Sequence, residues 1–191
     1  MDLFGLLITA GQGNRIAQSK VYDLFAKKMF LLCRQYTGDD MDAGEVVIDG
    51  FVRFFRHLEK FSYESDAGTH QFLKKIMLHE CIRQLKKTTK LFVVSTDTLP
   101  DTPLPEEVIS QISAKEIYAL IAKLPLGYRT VFNLVVMEGK THQEIAAALK
   151  ISKKTSQSQY CRAKYLLRQM LTQNNDDYES RKPKYNKEET E

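Results

Sequence analysis

Three of the chain's five prolines, Pro100, Pro103 and Pro105, fall in the segment "STDTLPDTPLPEE". Proline fixes its own φ and pushes the residue before it to extended geometry, so neither a helix nor a central strand runs through this stretch. The segment is acidic and has no apolar period, which marks a linker over 91–113. On both sides of it apolar residues recur at three and four, the period of an amphipathic helix. The prolines therefore divide a chain of 191 residues into two small all-α units, 14–90 and 114–171, each with a modest core of its own. The last stretch, 172–191, is polar, charged and almost without aliphatic residues, and is expected to be a disordered tail.

Several function classes fall away on composition. No apolar run approaches the length needed to span a bilayer, and "LFGLLITAG" near the start lacks a basic lead-in, so the reading is a cytoplasmic protein with no membrane insertion. Cys33, Cys81 and Cys161 are odd in number and far apart, with no CxxC and no nearby His pair. Neither a disulfide framework nor a metal site is expected, and no cofactor. His57, His70, His79 and His142 show no triad or HExxH spacing, and "GQGN" lacks the lysine and strand context of a phosphate loop, so no enzyme is indicated. The net charge is +4, but it is unevenly spread. Residues 123–171 carry nine basic and two acidic side chains, whereas 91–122 carry one and five. A surplus concentrated in one unit favours a polyanionic partner.

In the first unit, the apolar positions Val21, Leu24, Phe25, Met29 and Leu32 predict one helix. Val46, Val47, Phe51, Phe54, Phe55 and Leu58 predict a second, with Asp42, Glu45 and Asp49 on another side. After the polar loop "SYESDAG" a third helix is expected over about His70 to Lys90. On a wheel at 100° per residue, Leu73, Met77, Cys81 and Leu85 form its apolar stripe. Lys75, His79, Arg83, Lys86 and Lys90 form a basic stripe roughly opposite, with Phe72 at its head. An aromatic beside a line of cations suits single-stranded nucleic acid, by stacking on bases and neutralising phosphates. A core-edge Phe beside solvated lysines is the plainer alternative.

The second unit contains "THQEIAAALKISKKTSQSQYCRAK", two helical patterns separated by almost nothing. Thr141 and Glu144 have the spacing of a capping box. The helix stops near Leu149, "KIS" turns the chain with Ile151 inward, and Ser152 is placed to cap the next helix. In that helix Ser156, Tyr160, Ala163, Leu166, Leu167 and Met170 share one arc. Lys153, Lys154, Gln157, Ser158, Cys161 and Arg162 lie on the other, where short hydrogen-bonding groups are flanked by cations. That is what a recognition helix in the major groove requires. Lys150 stands at a turn position where such motifs often use Gly for φ > 0, which predicts local strain.

The residues "LP" at 124–125, "YRTVF" at 128–132, "EGKTHQEIA" at 138–146, "IS" at 151–152 and "TSQSQYCRAK" at 155–164 resemble region 4 of bacterial RNA polymerase sigma factors of the extracytoplasmic-function group in the sigma-70 family. "GNRIAQSKVYDLFAKKMF", "DAGEVVIDGFVRFFRHLEKF" and "FLKKIMLHECIRQLKK" resemble region 2 of the same group, and the likeness runs in order over roughly 10–171. The resemblance implies a monomer when free that binds core RNA polymerase and promoter DNA, recognises −35 and −10 elements and promotes transcription initiation. It also admits an anti-sigma factor as a partner. Residue by residue it implies contacts to the upstream element from Gln157, Ser158, Cys161 and Arg162, and Lys154 and Thr155 at the same helix start are expected to join them. It implies melting by the third helix and the loop before it, where the wheel puts Phe72, Lys75, His79, Arg83 and Lys86 as the candidates for downstream contacts, and polymerase docking through Asp42, Glu45, Asp49 and Arg53. The sequence departs from the family at Phe72, where Trp is usual, at His79 in place of Asn, and at Thr69 in place of an aromatic. The alternative reading is a free-standing helix-turn-helix regulator, and an interaction-only adaptor remains open.

Overall fold

The structure, a computed structural model, describes residues 2–37, 39–87 and 113–181, and the side chains of these except Ala114 and residues 173–181. Among the described residues it contains eight α-helices and no strand. They are α1 (Leu3–Gly11), α2 (Arg15–Arg34), α3 (Asp40–His57), α4 (Asp66–Lys87), α5 (Ala114–Lys123), α6 (Leu126–Val136), α7 (His142–Leu149) and α8 (Lys153–Arg181), with a short 3-10 turn at Leu58–Lys60. The linker expected over 91–113 lies outside the described residues apart from Ser113.

The first unit is a bundle of α1 to α4 in which α3 packs on both α2 and α4. Asn14 starts α2 by accepting the Ala17 N–H, and Asp39 starts α3 by accepting that of Asp42, each relieving one unpaired donor of a first turn. Val21, Met29, Cys33, Phe54, Leu73, Met77 and Cys81 form the fully buried centre. A Cβ at Gly50 would overlap the Met77 thioether, so a larger residue there would require the Met77 side chain to move aside. Two expectations are corrected here. Leu24, placed on the apolar stripe of α2, is 59% exposed. The unit also begins before residue 14, because α1 packs on α2 and buries Leu6, Leu7 and Ala10.

In the second unit the capping box expected at Thr141 and Glu144 is present in full at the head of α7, and another, Ser113 with Glu116, heads α5. Gly139, at φ 62, makes the turn between α6 and α7. Lys150 adopts the left-handed conformation anticipated for its position, φ 57 and ψ 43, after which the chain enters α8. A non-glycine residue there costs about 1 kcal/mol, offset by the tight turn it allows. The Ser152 hydroxyl accepts the Thr155 N–H at 2.9 Å, as expected of a cap. The helix continues past 171 to Arg181, so the tail expected from 172 is helical over its first ten residues, and the remainder lies outside the described residues.

The two units touch. Val131, Leu134, Ile145 and Leu149 of the second join the same buried cluster as the centre of the first, and α4 packs against α7. A second, smaller cluster of Leu120, Ile121, Leu124, Ala163 and Leu167 holds α5 to α8.

Candidate nucleic-acid and polymerase interfaces

The start of α8 presents Lys153, Lys154, Gln157 and Cys161 to solvent, with Ser158 and Arg162 half-buried beside them. Thr155 does not belong with these residues. Its side chain is 4% exposed and its hydroxyl lies 2.8 Å from the Ser152 hydroxyl, so it builds the cap and faces inward. Ser156 and Gln159 are buried as well. The wheel had put Ser156 on the inner arc, while Gln159 was not anticipated. His142, in the first turn of α7, places Nδ1 2.9 Å from the Ser156 hydroxyl and packs its ring near Tyr160. The angle at which α8 leaves the turn is thus set by polar contacts as well as by Ile145 and Leu149. No side chain of this surface has a partner that would neutralise Lys153 or Lys154 among the ion pairs of the described residues. Exposed cations around an amide and a thiol at a helix start suit contact with phosphates and base edges.

On α4 the apolar stripe is as expected, with Leu73, Met77, Cys81 and Leu85 all buried, and Lys75, His79 and Lys86 are exposed along the other side. Lys90 lies outside the described residues. Arg83 is placed differently from its neighbours in the stripe. Its guanidinium lies 2.9 Å from Asp49 of α3 and also pairs with Glu80. Glu80, only 2% exposed, additionally holds Arg53 Nε at 2.8 Å. Asp49, Arg83, Glu80 and Arg53 therefore form one chain of charges that joins the acidic face of α3 to the basic stripe of α4. A buried carboxylate is tolerated only when cations meet it, and here two do. The wheel missed Glu80 because its position on α4 lies next to the apolar stripe, and a single acid among apolar neighbours leaves no periodic signal.

Phe72 is half-buried. Its ring stacks on Phe61 with centroids 4.7 Å apart and planes 19° off parallel, and Phe54 lies 5.9 Å away. Phe61, in the loop before α4, is half-buried as well and lies beside an open groove of about 460 Å³ lined in part by Phe4, Leu58, Phe61 and Tyr63. Thr69 is fully buried and bonds back to the Ser65 carbonyl. Its small size lets the helix start sit close to the core.

The α3 face carries Asp42, half-buried, with Glu45, Asp49 and Arg53 exposed. Beside them are the exposed apolar side chains Met41, Ile48 and Val52, and α2 adds Leu24 and Leu31. Apolar residues left in water next to acids are a protein-docking signature that a search for charged residues alone overlooks. Among the described residues, no group of three His, Cys, Asp or Glu side chains is placed to hold a metal ion. None of the described helices is long and apolar enough to cross a membrane.

Comparison with known proteins bears on both surfaces. Residues 21–91 match the family model for sigma-70 region 2 and residues 114–167 the model for sigma-70, region 4. The chain is 24% identical over 173 residues to the ECF RNA polymerase sigma factor SigW of Bacillus subtilis (strain 168), covering 84% of this chain and 91% of SigW. It is 24% identical over 156 residues to the ECF RNA polymerase sigma factor SigE of Mycolicibacterium smegmatis, covering 80% of this chain and 60% of that longer protein. Among solved structures, CnrH in complex with the cytosolic domain of CnrY aligns over 88% of this chain and 96% of that one, at 21% identity and a TM-score of 0.44. With both region models matched in order and relatives similar along most of its length, the chain belongs to the sigma-70 family of RNA polymerase sigma factors, in the ECF group, which serves transcription initiation with core RNA polymerase and promoter DNA.

Proposed function

We propose that this chain directs core polymerase to promoters carrying a −35 and a −10 element, the second unit reading the first of these and the first unit reading and opening the second. The observation that carries the reading is the exposed start of α8, where Lys153, Lys154, Gln157 and Cys161 stand free of the core behind the left-handed turn at Lys150. Gln157 and Cys161 meet base edges, Ser158 and Arg162 flank them, and Lys153 and Lys154 meet phosphates. Thr155 supports the helix start from inside.

At the downstream element, Lys75, His79 and Lys86 neutralise the phosphates of the separated strand. Phe61 supplies the stacking face with Phe72 as its support, and Arg83 is held to α3. Opening costs a few kcal/mol per unstacked base, which stacking and phosphate contacts offset. The α3 face, Asp42, Glu45, Asp49 and Arg53 with Met41, Ile48 and Val52 beside them, docks on polymerase. An anti-sigma factor would compete for that same face.

DNase footprinting of core polymerase reconstituted with this chain tests the division of labour. Lys154→Ala should weaken upstream protection and Lys75→Ala downstream protection. Loss of both footprints together in either variant would contradict it.

A further inference from the structure

Glu80 is an acid set among the buried apolar residues of α4. Leu78, Cys81 and Ile82 around it are buried, and Glu80 itself is 2% exposed. Among the described residues two cations meet it, Arg53 Nε at 2.8 Å from one carboxylate oxygen and Arg83 at the other. Neither oxygen accepts a well-aligned hydrogen bond from them, so both arginines are held chiefly by charge. A buried ion triad of this kind is a poor stabiliser. The cost of taking the carboxylate out of water cancels much of the attraction, and apolar residues of similar volume do as well or better. Packing alone therefore gives this position no reason to be an acid. Its two partners belong to different surfaces. Arg53 lies on α3 with the exposed Glu45 and Asp49, whereas Arg83 lies on α4 between the exposed His79 and Lys86, about one turn from each. Lys75, His79 and Lys86 form no ion pair among the described residues, and Arg83 forms two. The pair of Arg83 with Asp49 joins side chains 51% and 61% exposed, and such a pair holds weakly. Glu80 is the partner that fixes Arg83.

We propose that Glu80 is a positioning residue that divides two arginines between two tasks: it fixes Arg53 on the face that meets polymerase and withholds Arg83 from the phosphates of the downstream strand. The inference rests on the promoter reading above. Phosphate contacts carry no sequence information and raise affinity for every strand alike. With Arg83 tied to Glu80, the stripe offers Lys75, His79 and Lys86 to phosphates, and strand binding that ignores sequence is kept weak. Without the carboxylate both arginines are released together, because each is about half in water already and needs no buried partner. Arg83 then joins its neighbours on the stripe, while Arg53 loses its fixed place on the docking face. Polymerase binding and strand binding therefore move in opposite directions, which a general loss of structure does not produce.

The test uses the full chain carrying Glu80→Gln, which keeps the shape and removes the charge, or Glu80→Met, which fills the site with apolar atoms. Glu80→Met should match or exceed the parent's urea midpoint, read by circular dichroism. With nitrogen-15 in the arginines, nuclear magnetic resonance should show hindered rotation of the Arg53 and Arg83 guanidinium groups in the parent and free rotation in both variants. Affinity for core polymerase should fall about five-fold, the effect of one modest contact. Affinity of the free chain at low salt for oligothymidine and for a mixed-sequence single strand should rise by a common factor of about five, with the salt slope steeper by about 0.7. Adding Arg83→Ala should remove that gain and leave the docking defect, whereas Arg83→Ala alone should hardly change strand binding. Arginine signals that do not respond to Glu80→Gln, or strand affinity that falls together with polymerase affinity, overturn the proposal while leaving the promoter reading intact. Should the signals and strand affinity change as stated while the parent does not bind core polymerase, the withholding of Arg83 stands and the polymerase reading fails.

Discussion

Replacing Phe72 by Ala separates a supporting role from a direct role in strand opening. Truncating a fully buried Phe costs about 3 to 5 kcal/mol. Phe72 is half-buried, which brings that to about 2, and loss of its stack on Phe61, at 4.7 Å and 19°, adds about 1. Phe72→Ala should therefore lower the stability of the first unit by about 2 to 3 kcal/mol, read as a shift in the urea midpoint by far-ultraviolet circular dichroism. Phe72→Leu keeps most of the volume and loses only the stack, so it should cost about 1 kcal/mol. If the ring supports Phe61 and does not itself meet a base, Phe72→Leu will open promoter duplex almost normally, seen as permanganate reactivity of unpaired thymines. Phe61→Ala loses the same stack from a ring that is also half-buried, so it should likewise cost about 2 to 3 kcal/mol; under conditions where it is folded it will be defective on duplex templates yet active on templates carrying a pre-melted bubble. A stable Phe72→Ala, or a Phe72→Leu as defective in melting as Phe61→Ala, would refute this reasoning and return Phe72 to the stacking role its sequence position suggested.

Three further outcomes follow from the geometry. Gln157→Ala should relax base preference at one upstream position, whereas Lys154→Ala should weaken all sequences alike and reduce the salt slope by about one, both measured by binding titrations over promoter variants at several salt concentrations. Glu45→Lys should abolish association with core polymerase in a pull-down while helicity is retained. It is a cleaner probe than a change at Asp49, which would also disturb Arg83. Thr141→Ala should destabilise the second unit by about 1 kcal/mol at neutral pH and flatten its response to acid. The Thr141 N–H, then its hydroxyl, hold the Glu144 carboxyl below its ordinary value of 4.5, so the contribution is complete above that value and is lost as pH falls through the lower folded value. Melting temperatures of both proteins measured from pH 6 down to pH 3 would show the difference, and parallel curves would count against it.

How far the sequence anticipates the structure depends on the kind of signal. The capping box at Thr141 and Glu144, the left-handed Lys150, the cap at Ser152 and the stripe Leu73, Met77, Cys81 and Leu85 were legible because each is local, fixed by spacing of three or four residues. Leu24 was misassigned because recurrence at three and four cannot distinguish a core-facing leucine from one left exposed to solvent. Thr155 and Arg83 went astray for a related reason. A wheel assigns a direction to each side chain but cannot show that a threonine turns in to a cap or that an arginine reaches Asp49, 34 positions earlier. The contacts that Arg129, Asn133 and Glu138 make across the two units left no trace, since their partners Thr37, Gln35 and Lys74 lie in the other unit and only the fold brings them together. The α1 helix was missed because "LFGLLITAG" is apolar nearly all round and has no clear helical stripe.

The central claim, that this chain starts transcription only together with core polymerase, is tested most directly by run-off transcription with purified bacterial core enzyme on a library of promoter fragments. The account predicts discrete transcripts from a subset of fragments that require both the chain and the core enzyme and disappear with Glu45→Lys. Absence of any chain-dependent transcript, alongside tight sequence-specific DNA binding by the chain alone, would contradict it and favour a free-standing helix-turn-helix regulator.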